Sequence, residues 1–313
     1  MSHSHSARRK ALKALLAADQ PLILPGAYDA LSAQLVERAG YSATYIGSFA
    51  AAASGFGMPD VGLLTLNEMV DQARRIVEST SVPVLADAEN GFYGAPNIWR
   101  TIQAFESAGV CGVHIEDNLG GKHTAAPAGL LPTEHMSQKI RAAVDARTDP
   151  DFLVIARSDA AWVNHDVEEC VQRLESYIDA GADMVFAPAL PAGDLARVRP
   201  RLVAPVMVPG DLLDVPGSDD PAATIEEYAE AGADVILLWY TLIGAASKNV
   251  DDVLRTLRAS NEVTAVKHLV TNQHAFESIM GYDRFEQRSA QYAAPPATPQ
   301  TDPVPGKQRK ETP

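Results

Sequence analysis

The chain has 313 residues, of which 46% are hydrophobic, so it is long enough to bury one large core or two smaller ones. Its formal net charge of −14 at pH 7 argues against nucleic acid and anionic membranes as partners, although local charge can still bind an anionic substrate. Its two cysteines form no disulfide framework, no apolar run approaches the ~18 residues that span a bilayer, and no secretory signal is recognisable. Together these features predict a protein of the reducing cytoplasm.

Strands and helices alternate along most of the chain. A short amphipathic helix is predicted over residues 6–18, and strands are predicted at 22–24, 43–46, 82–86, 112–115, 153–156, 184–186, 206–208 and 235–238. Helices are predicted between the strands at 29–39, 65–79, 97–108, 133–145 and 167–180, and a later one ends at 231–232. Further helices are predicted at 249–260 and 263–280.

A repeated Ala-Gly pair stands between helix and strand at residues 39–40, 108–109, 180–181 and 231–232. Glycine at such a place supplies the left-handed residue that ends a helix. Short connections between apolar strands that do not alternate are typical of parallel strands covered by helices. The pattern therefore predicts an α/β fold, a (β/α)8 barrel rather than a doubly wound sheet, since no Gly-x-Gly-x-x-Gly follows the first strand.

Four segments are predicted from these patterns. They are an N-terminal helical arm at 1–19, the barrel at 20–246, C-terminal helices at 247–292 and a tail at 293–313. The tail is rich in proline among small and charged residues, a composition that predicts disorder.

Acidic residues follow the second, third and fourth predicted strands, and the carboxyl ends of barrel strands are where catalytic residues lie. They are Asp60, Asp87, Glu89 and Glu116. Asp87 and Glu89 are one residue apart, and an extended backbone would point both side chains the same way. Carboxylates without a Cys/His cluster predict a site for a hard cation such as Mg²⁺ or Mn²⁺. The alternative is a polar loop that holds no metal.

Arg157, after the fifth strand, is predicted to bind a carboxylate or phosphate with its two-pronged guanidinium. The alternative is a structural ion pair with Asp87 or Asp159. Ser48, beside Gly47, could offer its backbone N–H to an anion, or it could belong to a plain tight turn.

The segment 118–131 is rich in glycine, proline and alanine, a composition typical of a mobile lid. It carries Lys122 and His123, a basic pair near the acidic residues. The alternative is that both are solvated loop residues without a role.

Taken together, the motifs resemble the isocitrate lyase/phosphoenolpyruvate mutase superfamily over roughly residues 20–285. The motifs are Asp-Ala-Glu-Asn-Gly-Phe at 87–92, His-Ile-Glu-Asp at 114–117, Ala-Arg-Ser-Asp-Ala at 156–160, Pro-Asp-Val-Gly at 59–62 and the run at 145–152. The resemblance implies a Mg²⁺-dependent enzyme that acts on a small 2-oxo or 2-hydroxy acid through a pyruvate-type enolate. It also implies a homotetramer in which the helices after the barrel are swapped between subunits.

The chain departs from the lyase branches of that family at several positions. Thr124 stands where they carry a cysteine that acts as general acid, and a threonine hydroxyl is too weak an acid to replace it. Pro188 and Pro209 replace a glutamate and an asparagine, 47–49 replaces paired serines, and Glu89 replaces an aspartate. These departures argue against cleavage of 2-methylisocitrate.

The sequence therefore predicts Mg²⁺-dependent C–C cleavage of a small 2-oxo or 2-hydroxy dicarboxylic acid, either decarboxylation of oxaloacetate or cleavage of a 2-alkylmalate. The alternatives are a phosphonate C–P enzyme and a non-catalytic barrel that binds a metal and an acid. The predicted metal ligands are Asp87, Glu89 and Glu116, and the predicted catalytic residues are Arg157, Lys122, His123 and Asp60. The predicted substrate-binding residues are Tyr45, Gly47, Ser48, Phe49, Asp87, Arg157 and Trp239.

Overall fold

The computed structural model describes residues 4–120, 124, 129–211 and 224–293. The chain divides into two compact units, one ending at Val263 and the other beginning at Thr264. The predicted tail lies almost entirely outside the described residues, so its disorder stays a prediction.

The described part of the first unit contains a sheet of eight parallel strands. The strands are β1 (Leu22–Pro25), β2 (Thr44–Ile46), β3 (Val84–Asp87), β4 (Gly112–Glu116), β5 (Leu153–Arg157), β6 (Met184–Phe186), β7 (Val206–Pro209) and β8 (Val235–Leu238). Neighbours follow chain order, with β1 paired to β8, and hydrogen bonds link β2 to the end of β1 and the residues directly after it. One of these joins the Ala27 N–H to the Tyr45 carbonyl at 2.8 Å, and so the barrel nearly closes. The predicted (β/α)8 barrel is confirmed.

Helices alternate with these strands along the chain. In the first unit they are α1 (His5–Leu16), α2 (Ala30–Arg38), α3 (Ser48–Phe56), α4 (Leu66–Ser79), α5 (Trp99–Ala108), α6 (Thr133–Ala146), α7 (Ala160–Val163), α8 (Val167–Asp179), α9 (Ala192–Val198), α10 (Ile225–Glu230) and α11 (Thr241–Ser260). Short 3-10 helices lie at Ala95–Asn97 and Arg199–Arg201. The second unit contains α12 (Gln273–Ile279) and α13 (Tyr282–Gln291), after a 3-10 helix at Val263–Leu269. No helix in the described ranges has both the length and the apolar character that a membrane span needs.

The repeated Ala-Gly pairs end helices as predicted, because Gly40, Gly109, Gly181 and Gly232 all have φ between 90° and 101°. At the N-terminus of α4, the Thr65 hydroxyl accepts the N–H of Glu68 and the Glu68 carboxylate accepts the N–H of Thr65. Local sequence therefore sets these helix boundaries.

Two helical regions differ from the prediction. Residues 48–56 form α3, a helix that was not predicted, because four consecutive alanines extend it until Gly57 ends it with φ of 64°. The predicted helix at 263–280 is interrupted, since Asn272 accepts the N–H of Ala275 and so starts a new helix, α12.

Side chains of the strands alternate between the barrel interior and the helices. The interior cluster includes Leu24, Tyr45, Leu85, Ile155, Phe186 and Leu237, and Leu12 of α1 joins it. The cluster between sheet and helices includes Ala86, Val113, Ile115 and Ala156. Because direction alternates with a period of two, Asp87, His114, Glu116 and Arg157 share the interior side with Leu85 and Ile155. The fold thus gathers polar side chains at the carboxyl end of the barrel.

Candidate active site

Three carboxylates meet at the ends of β3 and β4. Asp87, Glu89 and Glu116 each offer an oxygen within 4.8 Å of the others, and all three residues are buried. Asp87 is the last residue of β3 and Glu116 the last residue of β4. Since adjacent parallel strands end at the same edge, strand register brings two of the three together.

Glu89 joins this acidic cluster by another route. Strand β3 ends at Asp87, and Glu89 has φ of 52°, so the expectation of an extended backbone through both residues is wrong. The Glu89 N–H instead donates to Oδ1 of Asp87 at 2.7 Å, and its carbonyl accepts the N–H of Glu116 at 2.9 Å. A left-handed turn, supported by both neighbours, places the side chain.

The acidic cluster fits a hard divalent cation. Burying several carboxylates close together is costly unless positive charge balances them. All the offered ligands are oxygens, the donor set that Mg²⁺ prefers. The donor set itself therefore supports the predicted metal site.

Ser48, at the start of α3, links the cluster to Asp60. Its hydroxyl lies 2.9 Å from Oδ2 of Asp87 and 3.0 Å from Oδ1 of Asp60, and its backbone N–H donates to the same Asp87 oxygen at 3.2 Å. The N–H that was predicted to meet an anion therefore meets the Asp87 carboxylate. Asp60 follows in the chain after α3 and is buried next to these groups.

Arg157, at the end of β5, lies beside the acidic cluster. Its Nε donates to Oδ1 of Asp159 at 2.7 Å and its Nη2 to Oδ2 at 3.2 Å, while Nη1 lies 3.4 Å from Oε2 of Glu116. Burial alone would lower the pKa of Arg157, but the carboxylates of Asp159 and Glu116 raise it well above its ordinary value. The guanidinium thus stays charged and faces the cluster with one edge. The alternative role for Arg157, an ion pair with Asp159, is therefore also present.

Tyr45 and His114 lie inside the barrel beside Asp87. The Tyr45 hydroxyl is 2.7 Å from Nε2 of His114, and Nδ1 of His114 is 3.6 Å from Oδ1 of Asp87. Burial, and next the charge of Asp87, raise the pKa of Tyr45 well above its ordinary value, so the phenol remains protonated.

An aromatic wall, formed by Phe49, Trp239 and Tyr240, lies next to Ser48. The Phe49 ring meets Trp239 edge to face, with centroids 5.0 Å apart, and meets Tyr240 at 5.9 Å. Phe49 and Trp239 are half-buried, and Tyr240 is exposed. The wall gives this side of the site an apolar face.

Lys122 and His123 lie outside the described residues, so their predicted roles stay predictions. Thr124 is described and exposed. Two buried residues near Arg157, Asn118 and Asp159, were not predicted to belong to the site, although a polar residue directly after His-Ile-Glu-Asp was a signal for the first.

Comparison with known proteins decides the family. The family model described as phosphoenolpyruvate phosphomutase matches residues 12–258. The chain belongs to this family. It is 32% identical over 284 residues to 2,3-dimethylmalate lyase of Eubacterium barkeri, covering 90% of this chain and 97% of the relative. It is 34% identical over 276 residues to 2-methylisocitrate lyase of Shewanella oneidensis, covering 87% and 93%.

Solved structures of similar fold support the same family. A phosphonopyruvate hydrolase in complex with oxalate and Mg²⁺ superposes with a TM-score of 0.80 at 25% identity, covering 91% of this chain and 99% of the other. An oxaloacetate acetylhydrolase in complex with oxalate gives a TM-score of 0.81 at 25% identity, covering 93% and 100%.

The predicted superfamily and the predicted carbon–carbon lyase class are confirmed by these matches. The superfamily is Mg²⁺-dependent, in agreement with the oxygen-only acidic cluster. Manganese as an alternative metal, the tetramer and the cytoplasmic location stay predictions.

Proposed function

We propose that this enzyme cleaves a C–C bond of a small 2-oxo or 2-hydroxy dicarboxylic acid and that a 2-alkylmalate is its preferred substrate class. The observation that carries the proposal is the placement of the Arg157 guanidinium 3.4 Å from Glu116 of the acidic cluster. The Arg157 guanidinium would then lie beside a divalent cation held by the acidic cluster. Two neighbouring positive charges suit a substrate that presents a carboxylate next to a hydroxyl or keto oxygen.

Asp87, Glu89 and Glu116 would hold Mg²⁺, which when bound supplies positive charge to the oxygens of the acid. Arg157 would bind the carboxylate next to the reacting carbon, because its fork matches two oxygens at once. Asp159 accepts hydrogen bonds from Nε and Nη2 and so fixes the plane of the guanidinium, and the Nη1–Nη2 edge is the one proposed to bind the substrate carboxylate. The carboxylate is thus held in one orientation relative to the breaking bond.

Cleavage of a 2-alkylmalate needs one proton removed and one delivered. The C2 hydroxyl loses its proton and becomes a carbonyl, the C2–C3 bond breaks, and its electron pair takes a proton at C3. The products are a 2-oxo acid and a saturated monocarboxylic acid. Asp60 is the proposed acceptor of the hydroxyl proton, while His123 is proposed to deliver the second proton and Lys122 to bind the second carboxylate.

The aromatic wall supports an alkyl substituent on the substrate. Apolar groups bury favourably at about 25 cal/mol per Å², and Phe49 and Trp239 offer an apolar face next to Ser48. The relative from Eubacterium barkeri is named for a substrate with two methyl groups, which agrees with this choice.

Decarboxylation of oxaloacetate is the second candidate, favoured by Thr124 in place of a cysteine acid. When CO₂ leaves, the electron pair remains as the enolate of the 2-oxo acid product, so no protonated leaving group is needed. The enolate then takes a proton to give pyruvate.

The test is 2-oxo acid release with Mg²⁺ from a panel of 2-methylmalate, 2,3-dimethylmalate, malate, oxaloacetate, 2-methylisocitrate and phosphonopyruvate. We expect the alkylmalates to have the highest kcat/KM. Release from oxaloacetate alone would move the assignment to the decarboxylase, and release from phosphonopyruvate alone would move it to C–P chemistry. No release from any compound would overturn the proposed function.

A further inference from the structure

Asp159 binds the Nε–Nη2 edge of the Arg157 guanidinium, while Nη1 lies toward Glu116. Both of its carboxylate oxygens accept hydrogen bonds from the arginine, and the residue is completely buried. The orientation of the arginine edge that faces Glu116 therefore depends on the orientation of one carboxylate. Whatever holds the Asp159 carboxylate also sets the direction of Arg157.

Asp117 and Asn118 also contact Asp159. Its backbone N–H donates to Oδ1 of Asp117 at 2.9 Å, which fixes the main chain. Oδ2 of its carboxylate accepts a hydrogen bond from the side-chain amide Nδ2 of Asn118 at 3.0 Å. Asn118 is 1% exposed, so water does not readily replace this donor. The amide is neutral, and so it orients the carboxylate without competing for its charge.

The other end of the Asn118 amide contacts a different part of the chain. Its Oδ1 accepts the N–H of Gly120 at 2.8 Å. The backbone of Asn118 forms an antiparallel bridge with Leu130, and the Leu119 N–H donates to the Gly129 carbonyl at 3.0 Å. A single side chain thus joins this antiparallel pairing, formed by residues 118–120 and 129–130, to the carboxylate that holds Arg157.

We propose that Asn118 is a positioning residue, which ties the direction of the Arg157 guanidinium to the antiparallel pairing at residues 118–120 and 129–130. The inference rests on the proposed function, because it matters only if Arg157 binds a substrate carboxylate. Loss of the amide removes one of the hydrogen bonds that orient the Asp159 carboxylate, and the edge of the arginine is then held less firmly toward the substrate. Substrate and substrate-like anions bind more weakly, while the acidic cluster is unchanged.

The test uses oxalate as a carboxylate probe in the presence of Mg²⁺. Asn118→Leu, which keeps the volume of the side chain and removes the donor, is expected to weaken oxalate binding about tenfold, the size typical of outer partners in a site. Asn118→Ala, which cannot overpack, is expected to do the same. The Mg²⁺ affinity of both variants should match that of the original protein.

Asn164→Leu is the matched control, because it removes the same kind of amide-to-carboxylate hydrogen bond at an exposed place, where Asn164 donates to Glu169 at 2.7 Å. It should leave oxalate binding unchanged. A double-mutant cycle with Arg157→Gln separates an effect through Arg157 from a general loss of oxalate affinity. Asn118→Leu should not weaken oxalate binding further once the guanidinium is gone.

The outcomes are distinguishable. If folded Asn118→Leu and Asn118→Ala proteins bind oxalate as tightly as the original protein, or if the effect persists in the Arg157→Gln background, the inference is overturned and the proposed function stands. If the original protein binds no oxalate with Mg²⁺, the inference is overturned, and the proposed function is decided by 2-oxo acid release alone.

Discussion

Glu89 donates its backbone N–H to Oδ1 of Asp87 at 2.7 Å while its own carboxylate reaches the same acidic cluster. A glutamate with φ of 52° is in a conformation that residues other than glycine adopt rarely, at a cost of order 1 kcal/mol or more. Lys139 supports the turn by donating to the carbonyl of Asn90 at 2.8 Å. The surrounding contacts thus hold a strained backbone that brings a third carboxylate to the site.

Replacing Glu89 by glutamine tests its role in metal binding. The change keeps the shape and removes the charge, so we expect Mg²⁺ affinity to fall by about tenfold or more, as measured by calorimetric titration. Glu89→Asp keeps the charge and should bind more tightly than Glu89→Gln. Glu134→Gln, at an exposed position, is the control. Equal affinity of Glu89→Gln and the original protein would remove Glu89 from the metal site.

Arg157→Lys keeps the charge but loses the fork. We expect kcat/KM to fall about 100-fold, because lysine cannot make two in-plane contacts and a misplacement of about 1 Å can cost about 100-fold in rate. The conservative change Arg197→Lys, at an exposed ion pair with Asp194, should leave kcat/KM unchanged. Full activity of Arg157→Lys would show that two-point binding is not used.

Phe49→Ala tests the aromatic wall as a specificity element. One methylene in a hydrophobic pocket is worth about 1–3 kcal/mol, so the preference for 2-methylmalate over malate, as a ratio of kcat/KM, should fall about tenfold or more. Phe56→Ala, on the same helix and exposed, is the control. An unchanged ratio in Phe49→Ala would place the alkyl group elsewhere.

Arg9 joins the N-terminal helix to the barrel. It donates to the carbonyls of Glu106 at 2.7 Å and Val110 at 3.2 Å, and it lies 2.9 Å from the Asp149 carboxylate. Arg9→Ala removes these hydrogen bonds and the buried ion pair together, so the free energy of unfolding should fall by about 3 kcal/mol in urea titrations. The exposed neighbour Lys10 is the control, and Lys10→Ala should change it by less than about 0.5 kcal/mol. Equal losses in the two variants would contradict this role.

The contacts of Asp149, which include the ion pair with Arg9, predict that the stability of the protein depends on pH. The backbone N–H of Asp151, and also Arg9, hold the pKa of Asp149 below its ordinary value of 3.8. A carboxyl whose pKa is lower in the folded state stabilises the protein above its unfolded pKa and loses that contribution as pH falls through the folded pKa. Asp149→Asn should therefore be less stable than the original protein at pH 5, and the difference should shrink toward pH 3. A constant difference would argue against this linkage.

Much of the site could be predicted from the periodicity of the strands in the sequence. Asp87, Glu116 and Arg157 stand at the ends of apolar strands, and the fixed alternation of side chains places them together inside the barrel. The backbone at Glu89 did not follow, because a left-handed glutamate is stabilised by contacts with other strands. Asn118 could not be assigned either, since its partner Asp159 is 41 residues away and only tertiary structure brings them together.

The role of the acidic cluster in catalysis is tested most directly by 2-oxo acid release from 2,3-dimethylmalate, using protein treated with EDTA and then resupplied with Mg²⁺. We expect release to stop with EDTA, to return with Mg²⁺, and to be absent in a folded Asp87→Asn protein at every Mg²⁺ concentration. Undiminished release in EDTA, or by Asp87→Asn, would contradict an acidic cluster that works by holding a divalent cation.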